Sequence, residues 1–257
     1  MSNNSDPPSL PDHLAPVQIV ATDMDGTLTR DGKFSATLIH ALESLQQAGL
    51  DVIIVTGRSA GWVQSVMHYL PIWGAIAENG GVFFAADDTP KLIPLIENMA
   101  DHRRQLHQTF QHCQALIPTL QESSDNPFRL TDWTFSVEGL SQDEIEALGA
   151  IAENHQWSFT YSTVQCHIKP KNQSKAIALQ YVLDHFFPDV PSSAVITVGD
   201  SPNDESLFDP TLVPVSIGVA NIRDYLDRLS HHPTHITRAP EVEGFQELTQ
   251  LILKQHF

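Results

Sequence analysis

Two carboxylates separated by one residue, Asp23 and Asp25, directly follow an apolar run at residues 17–21. In an extended segment, residues i and i+2 point to the same side, so both carboxylates can address one small ligand while Met24 turns into the core. An aspartate can attack phosphorus and form an aspartyl-phosphate, and a second carboxyl group can protonate the leaving oxygen and then activate water. This spacing predicts covalent phosphoryl transfer assisted by a divalent cation, although an Asp-Gly turn that ends a strand has the same pattern.

Three further segments follow this pair along the chain. A predicted strand ends in Thr56, Lys175 lies in the polar segment 171–176, and Gly-Asp-x-x-Asn-Asp occupies residues 199–204. With Asp-x-Asp-Gly at residues 23–26, these segments resemble the four motifs of the haloacid dehalogenase (HAD) superfamily. The motifs span most of the chain.

The resemblance implies a role for each matching residue. Asp23 is expected to be the nucleophile, and Asp25 the general acid and base that also lends its carbonyl oxygen to the metal. Thr56 is expected to donate its hydroxyl to the transferred phosphoryl group. Lys175 is expected to neutralise the nucleophile and the phosphate together. A strand-ending threonine and a solvated surface lysine are the alternatives for the last two.

The resemblance also implies Mg²⁺ as the cofactor. Asp200 and Asp204 are expected to hold the cation with Asp23, because hard oxygen ligands suit an octahedral ion that keeps several waters. A pair of helix-capping carboxylates is the alternative for Asp200 and Asp204. Asn203 is expected to orient this acidic loop through side-chain hydrogen bonds.

The predicted substrate-binding residues come from the motif loops and from one further turn: Thr56, Gly57, Arg58, Asn79, Lys175 and Asn203. A surface salt bridge is the alternative for Arg58, and a plain turn is the alternative for Asn79. His167 and Lys169, near the end of a predicted inserted segment, could reach a substrate carboxylate or hydroxyl. Neither is assigned a role, because exposed strand ends commonly carry such residues.

The presence of Asp25 separates the chemistries found within the superfamily. Members that cleave carbon–halogen bonds lack the second aspartate, and members that cleave carbon–phosphorus bonds replace it, so the resemblance favours phosphomonoester hydrolysis. The leading hypothesis is a Mg²⁺-dependent phosphatase of small phosphorylated metabolites, such as sugar phosphates or a phosphoglycolate-like acid. A phosphosugar mutase of the same fold and a catalytically idle binding or regulatory module stay open.

The composition limits the partners and the location of the protein. The chain has 257 residues, a formal net charge of −17 and two cysteines. This charge argues against nucleic acid or an anionic membrane surface as the main partner, since both need basic patches. Two cysteines do not make a disulfide framework, and no apolar run approaches the roughly 20 residues that span a bilayer. We therefore expect a cytoplasmic protein. A monomer or a homodimer is a separate expectation, which the composition does not decide.

Alternating strand and helix patterns between the motifs predict an α/β fold. The expected core is a Rossmann-like, doubly wound parallel sheet formed by residues 17–82 and 169–257, with the catalytic residues at the carboxyl ends of strands. Residues 83–168 are predicted to form an inserted α+β cap domain, which resembles the type IIB cap of the superfamily. Residues 1–16 are rich in Ser, Asn, Asp and Pro and are expected to form a disordered lead-in.

Overall fold

The computed structural model describes residues 7–85 and 89–256 and contains an eight-stranded and a three-stranded sheet. The strands are β1 (Ile19–Thr22), β2 (Asp51–Val55), β3 (Gly74–Ala77), β4 (Val82–Phe84), β5 (Lys91–Leu92), β6 (Trp133–Ser136), β7 (Ser158–Tyr161), β8 (Gln165–Lys169), β9 (Val195–Gly199), β10 (Val215–Gly218) and β11 (His235–Ile236). The helices are α1 (Ala36–Gln47), α2 (Ala60–Met67), α3 (Met99–Leu116), α4 (Gln142–Asn154), α5 (Lys175–Phe186) and α6 (Glu241–His256). Short 3₁₀ helices span Asn126–Phe128, Ser192–Ala194, Pro202–Phe208 and Ala220–Arg228. None of the helices that the structure describes combines the length and the apolar character that crossing a membrane requires.

The main sheet has the strand order β11-β10-β9-β1-β2-β3-β4-β5. Neighbouring strands from β11 to β3 run parallel, and β4 and β5 pair antiparallel at one edge. The chain runs outward from β1 on one side and from β9 on the other, so the strand order reverses beside β1. Ligands of open α/β sheets bind at the carboxyl ends of strands at such a reversal. The predicted α/β fold is confirmed.

Both faces of the main sheet are buried, which explains why its central strands are apolar throughout. Val20 packs in a cluster with Leu42 of α1 and Phe245 of α6 on one face. Its neighbour Ala21 packs in a cluster with Val182 of α5 on the other face. Helices packed on both faces of the sheet hold the carboxyl ends of β1, β2 and β9 at one edge.

The second sheet is antiparallel, with β8 between β6 and β7. One face of β8 is apolar, because Cys166 and Ile168 pack with Leu106 of α3 and Leu148 of α4 in a separate core. The intervening residues of β8 point to the opposite face. The segment predicted as the cap therefore contains a separate sheet, packed with two helices around a separate core.

The start of the predicted cap differs from the structure. β4 and β5 belong to the eight-stranded sheet, so this sheet continues to Leu92, past residue 83 where the inserted domain was expected to begin. A short apolar strand has the same sequence pattern whether it leaves the sheet or turns back along its edge. The division of the chain into a core and a cap stays a proposal, which the separate second sheet supports.

Part of the predicted disordered lead-in lies against the main sheet. Ile236 N of β11 donates to Pro8 O at 2.8 Å, and Ser9 forms a parallel bridge with Ile236. Leu10 and Leu14 pack on the main core. The prediction of disorder is wrong for residues 8–14, because an open sheet edge and a nearby apolar surface bind this segment. Residues 1–6 lie outside the described residues.

Candidate active site

Asp23 lies directly after β1, the strand beside which the sheet order reverses. Its backbone N donates to Val198 O of β9 at 2.9 Å, which fixes the exit from the strand. Ser174 caps α5 by accepting a hydrogen bond from Ile177 N, so Lys175 is the first helical residue. Lys175 Nζ then donates to Asp23 Oδ1 at 2.5 Å across the site.

Asp23, Asp200 and Asp204 place carboxylate oxygens within 4.8 Å of one another, and we call these residues, with Lys175, the acidic centre. Lys175 Nζ also donates to Asp204 Oδ1 at 2.6 Å. Burial, followed by the charge of Asp204, raises the pKa of Asp23 to about 7. Burial and the charge of Asp23 raise the pKa of Asp200 well above its usual value. Burial alone would lower the pKa of Lys175, but the charges of Asp204 and Asp23 raise it.

The donor set of the acidic centre fits a divalent cation. Three buried carboxyl groups face a single ammonium group, so ionisation of all three would leave the centre with excess negative charge. Buried charges of one sign are costly unless a counter-charge meets them. Carboxylate oxygens are hard ligands of the kind that Mg²⁺ takes in proteins, and a cation there would offset the repulsion between the carboxylates.

Asp200 is held by two residues that the sequence analysis did not assign. Thr27 Oγ1 donates to Asp200 Oδ1 at 3.1 Å, and Asn221 Nδ2 donates to Asp200 Oδ2 at 2.9 Å. Asn221 Nδ2 also donates to Gly26 O at 3.1 Å. Gly26 has a φ of 83°, and a Cβ there would collide with the Asp200 carboxylate. Thr27 adjoins the first motif, whereas no local pattern marks Asn221.

Asp204 also caps the start of the short helix Pro202–Phe208, of which it is the third residue. Its Oδ2 accepts from Asp200 N at 2.9 Å and from Ser201 N at 3.1 Å. With Ser201 it forms a capping box at the start of Pro202–Phe208. Asp204 therefore does cap a helix, as the alternative interpretation expects. Its other oxygen, Oδ1, accepts a hydrogen bond from Lys175 in the acidic centre.

The loop after β2 brings Arg58 onto Asp25. Arg58 Nε donates to Asp25 Oδ2 at 2.8 Å and Arg58 Nη2 donates to Asp25 Oδ1 at 2.6 Å, a two-point ion pair. Thr56 is buried beside them, and its Oγ1 accepts from Arg58 N at 3.2 Å. The Asp25 carboxyl thus points to Arg58 rather than into the acidic centre. The expected metal contact of the Asp25 carbonyl oxygen stays a prediction.

Glu78 and Asn79 adopt left-handed backbone conformations in succession, with φ values of 56° and 52°. Such conformations cost roughly 1–3 kcal/mol each, and hydrogen bonds of 3.0 Å from Glu78 N to Arg58 O and from Asn79 N to Thr56 O hold them in place. Asn79 Oδ1 accepts from Asn203 Nδ2 at 3.0 Å. Asn79 Nδ2 is buried and has no hydrogen-bond partner among the described residues, so this donor is free for a ligand.

A second buried charge cluster joins the cap to the loop after β2, and we call Glu78, Arg129, Asp132 and His167 the interdomain network. Arg129 Nη1 donates to Gly57 O at 2.9 Å and to the two Asp132 oxygens at 3.0 and 3.1 Å. His167 Nδ1 contacts Asp132 Oδ2 at 2.9 Å. Although burial raises the pKa of Asp132, Arg129 and His167 bring it below its usual value.

Glu78 completes the interdomain network from the side of the main sheet. Its carboxylate accepts hydrogen bonds from Ala60 N, Leu130 N, Thr131 N and Thr131 Oγ1, which ties α2 and the cap to the loop after β3. Burial raises the pKa of Glu78. The sequence analysis missed this network, because its members stand in unremarkable segments and become partners only through long-range folding.

The structure gathers the predicted site residues around two adjoining cavities. The smaller cavity, of about 20 Å³, is lined by residues that include Asp23, Asp25, Thr56, Gly57, Arg58, His167 and Asn203. The larger cavity, of about 420 Å³, is lined by residues that include Asn79, Lys169, Lys175 and Asn203. Asn203 borders both cavities, and Asp200 and Asp204 are buried beside them. The predicted catalytic, metal-binding and substrate-binding residues therefore lie at one edge of the main sheet, whereas their individual roles stay predictions.

Known proteins resemble this chain over most of its length. A phosphoglycolate phosphatase of Methanobrevibacter smithii is 24% identical over 84% of this chain and 91% of its own length. A phosphoglycolate phosphatase of Saccharolobus solfataricus is 24% identical over 94% of this chain and 98% of its own length. A crystal structure of a Thermoplasma acidophilum protein superposes with a TM-score of 0.75 at 20% identity and covers 92% of this chain and 100% of that one, which shows a shared fold.

The sequence profile of the haloacid dehalogenase-like hydrolases matches residues 20–93 and 83–245, which include all four motifs. The fold agrees with this match, because the motif residues occupy the carboxyl ends of β1, β2 and β9 and the start of α5. The chain belongs to the haloacid dehalogenase-like hydrolase family.

Proposed function

We propose that this protein is a Mg²⁺-dependent phosphatase that hydrolyses small phosphomonoesters through an aspartyl-phosphate on Asp23. The contact of Lys175 Nζ with Asp23 and Asp204 carries the proposal. It places a buried ammonium group against Asp23, the proposed nucleophile, and against Asp204, a proposed metal ligand. The predicted enzyme class, a phosphoric monoester hydrolase, is confirmed by the family match and by relatives named as phosphatases.

In the proposed reaction, Asp23 attacks phosphorus in line with the leaving oxygen. Asp25 gives its proton to the departing alcohol, and the phosphoryl group is left on Asp23. Asp25 then removes a proton from water, which attacks the phosphorus, releases phosphate and restores the Asp23 carboxylate. Both Asp25 oxygens accept hydrogen bonds from Arg58, which fixes the orientation of this carboxyl group.

Charge stabilisation comes from groups fixed before the reaction begins. Lys175 lies within hydrogen-bond distance of Asp23 and is positioned to meet the oxygens of the transferred phosphoryl group. Asp23, Asp200 and Asp204 would hold Mg²⁺, which supplies further positive charge against that phosphoryl group. Thr56 and Asn79 add a hydroxyl and an amide donor at the same edge.

The substrate is proposed as a small phosphorylated metabolite, either a sugar phosphate or a phosphoglycolate-like acid. The two relatives are named as phosphoglycolate phosphatases, which supports a phosphoglycolate-like acid as the substrate. The small cavity beside Asp23 supports a compact substrate. The net charge of −17 supports a small-molecule partner rather than nucleic acid or an anionic membrane. A cytoplasmic location and a monomeric or homodimeric state are part of the same proposal.

The test is phosphate release by the purified protein from phosphoglycolate, phosphoglycerates, sugar phosphates and p-nitrophenyl phosphate, with Mg²⁺ or with a chelator. We expect release that requires the metal. Isomerisation of a sugar phosphate after addition of a bisphosphate, without free phosphate, would favour the mutase. If neither hydrolysis nor isomerisation occurs with any compound of the panel, a catalytically idle module is favoured.

A further inference from the structure

The central strand of the cap sheet presents a polar face to the catalytic edge. Cys166 and Ile168 enter the cap core, so Gln165, His167 and Lys169 take the other face of β8. The first two are held by other residues: Arg129 Nη2 donates to Gln165 Oε1 at 3.0 Å, and His167 contacts Asp132. Lys169 ends the strand where it returns to the main sheet.

Lys169 is a buried cation without a carboxylate partner in the described part of the chain. Its side chain is 6% exposed, and its Nζ donates to the backbone oxygen of Gln173 at 2.5 Å. The other buried cations at this edge are compensated, because Lys175 meets two carboxylates and Arg129 also meets two. A buried charge is costly unless an opposite charge meets it, so Lys169 lacks the counter-charge that its neighbours have.

Lys169 is one of the residues that line the larger cavity. This cavity also exposes Lys175, Asn79 and Asn203, and it adjoins the smaller cavity that contains Asp23. Its volume of about 420 Å³ lies within the range of small-ligand sites. A ligand bound at Asp23 can therefore extend past Asn203 toward Lys169.

The carboxylates that line the larger cavity are engaged elsewhere. Glu205 Oε1 accepts from Ser230 N at 2.7 Å and from His231 N at 3.2 Å. Asp209 Oδ1 accepts from Thr211 N at 2.8 Å and from its hydroxyl at 2.7 Å. Neither carboxylate forms an ion pair with the ammonium group of Lys169. Burial lowers the pKa of Lys169 to about 8, and the charge of Asp132, which forms no ion pair with Lys169, opposes this only in part.

We propose that Lys169 binds a carboxylate on the leaving group of the substrate, so that the preferred substrates are phosphomonoesters of hydroxy acids rather than of neutral sugars. A single ammonium matches a carboxylate in charge better than it matches a second phosphate. This inference rests on the proposed phosphatase function. It assigns Lys169 to substrate binding, outside the four motifs.

The experiment compares pairs of esters that differ in one carboxylate: 2-phosphoglycolate with 2-hydroxyethyl phosphate, and 3-phosphoglycerate with glycerol 3-phosphate. The readout is the ratio of kcat/KM for the charged ester to kcat/KM for its neutral counterpart. Lys169→Met is expected to reduce this ratio by about 10- to 100-fold, the loss that follows removal of a charged hydrogen bond. Lys169→Arg is expected to restore part of the ratio, and Lys171→Met, at an exposed position two residues away, to leave it unchanged.

Binding separates failure of this inference from failure of the proposed function. Asp23→Asn and Asp23→Asn/Lys169→Met are titrated calorimetrically with 2-phosphoglycolate and 2-hydroxyethyl phosphate. Tighter binding of the charged ester that depends on Lys169 would support the inference even if no ester were hydrolysed. Equal binding of the two esters, binding of neither, or an unchanged kcat/KM ratio in Lys169→Met would overturn it, whereas metal-dependent phosphate release would still support the phosphatase.

Discussion

The acidic centre and the interdomain network are both buried and both contain carboxylates, yet they balance charge differently. In the acidic centre, three carboxyl groups lie close together and one lysine forms ion pairs with two of them, Asp23 and Asp204. In the interdomain network, Arg129 forms ion pairs with Asp132 and with Asp125 beside it, and Glu78 accepts hydrogen bonds from Ala60 N and from the backbone and hydroxyl of Thr131. The charges of the network are met by groups of the protein, whereas the acidic centre has three carboxyl groups for one ammonium group and could hold a metal ion.

A raised pKa alone does not identify a catalytic carboxylate in this protein. Burial is the largest cause of the raised pKa of both Asp23 and Glu78. Their partners differ: Asp23 faces two other carboxylates and a cavity, and Glu78 faces donors that the fold supplies. Substitutions in the acidic centre should therefore affect turnover, and substitutions in the network should affect stability.

The largest expected effect is the loss of turnover in Asp23→Asn. An amide cannot form the aspartyl-phosphate, so phosphate release should fall on the order of 10⁴-fold or more. The fold should persist, because the substitution removes a negative charge from a crowded buried cluster. Phosphate release and circular dichroism measure the two expectations. Turnover within tenfold of the unsubstituted protein, in a preparation verified by mass spectrometry, would refute the assignment of the nucleophile.

Arg129→Met tests whether the interdomain network contributes to stability. The substitution leaves Asp132 buried without its cation, and breaking such a pair costs about 3–5 kcal/mol of unfolding free energy. Urea denaturation measures the loss. Arg104→Met is the matched control, because Arg104 forms an exposed pair with Asp101 and such pairs contribute about 0–1 kcal/mol. Addition of Asp132→Asn to Arg129→Met should recover part of the stability, and equal stability of the two single variants would contradict a structural role for the network.

The residues that the sequence predicted lie on a few strand and helix ends. Asp23, Thr56 and Asp200 directly follow or end apolar strands, and parallel strands bring their carboxyl ends to the same edge. The family resemblance added Lys175, whose role no local pattern could distinguish from that of a surface lysine. The α/β fold was predictable for the same reason, since alternating elements with buried strands favour a parallel sheet.

The residues that the sequence analysis missed act through contacts between distant segments. Asn221 reaches Asp200 from a 3₁₀ helix near the end of the chain, and Arg129 reaches Gly57 from the cap. Asn and Arg at such positions are common on surfaces, so their types carry no signal until the fold places them. The pairing of β4 with β3 was missed for a related reason, because register along a sheet edge is a long-range property.

Lys169→Met should change how stability depends on pH in the absence of ligand. The pKa of Lys169 is about 8 in the folded protein, below its usual value of 10.5, so the charged form opposes folding below pH 8. This penalty is on the order of 3 kcal/mol and disappears as the pH rises from 8 to 10.5. The stability of the unsubstituted protein, relative to that of Lys169→Met, should therefore rise over this interval.

Urea denaturation at pH 7, 9 and 10.5 measures this difference. Lys171→Met, with an exposed side chain, provides the baseline for effects of pH that do not involve Lys169. A constant difference between the unsubstituted protein and Lys169→Met across the three pH values would mean that solvent or a carboxylate compensates this ammonium. The contrast with Lys175, whose two carboxylates raise its pKa, would then disappear.

The smallest expected effect concerns Asn221, which supports the acidic centre without belonging to it. Asn221→Ala removes the donor to Asp200 Oδ2 and to Gly26 O, so Asp200 loses a fixed orientation. Groups that orient metal ligands in this way contribute about 10- to 100-fold to metal affinity, and we expect the Mg²⁺ concentration for half-maximal activity to rise by about 10-fold. Activity at saturating Mg²⁺ should recover, because the ligands themselves remain.

Asn221 Oδ1 also accepts from Glu241 N at 3.1 Å at the start of α6, so the substitution has a structural consequence as well. A thermal melt in chelator reports that consequence, and a Mg²⁺ titration of activity below the melting range reports the effect on Asp200. Asn154→Ala, at an exposed helix end, is the control for both measurements. If the melting temperature falls and the Mg²⁺ requirement stays the same, Asn221 belongs with the interdomain network as a structural contact, and the acidic centre orients Asp200 through Thr27 alone.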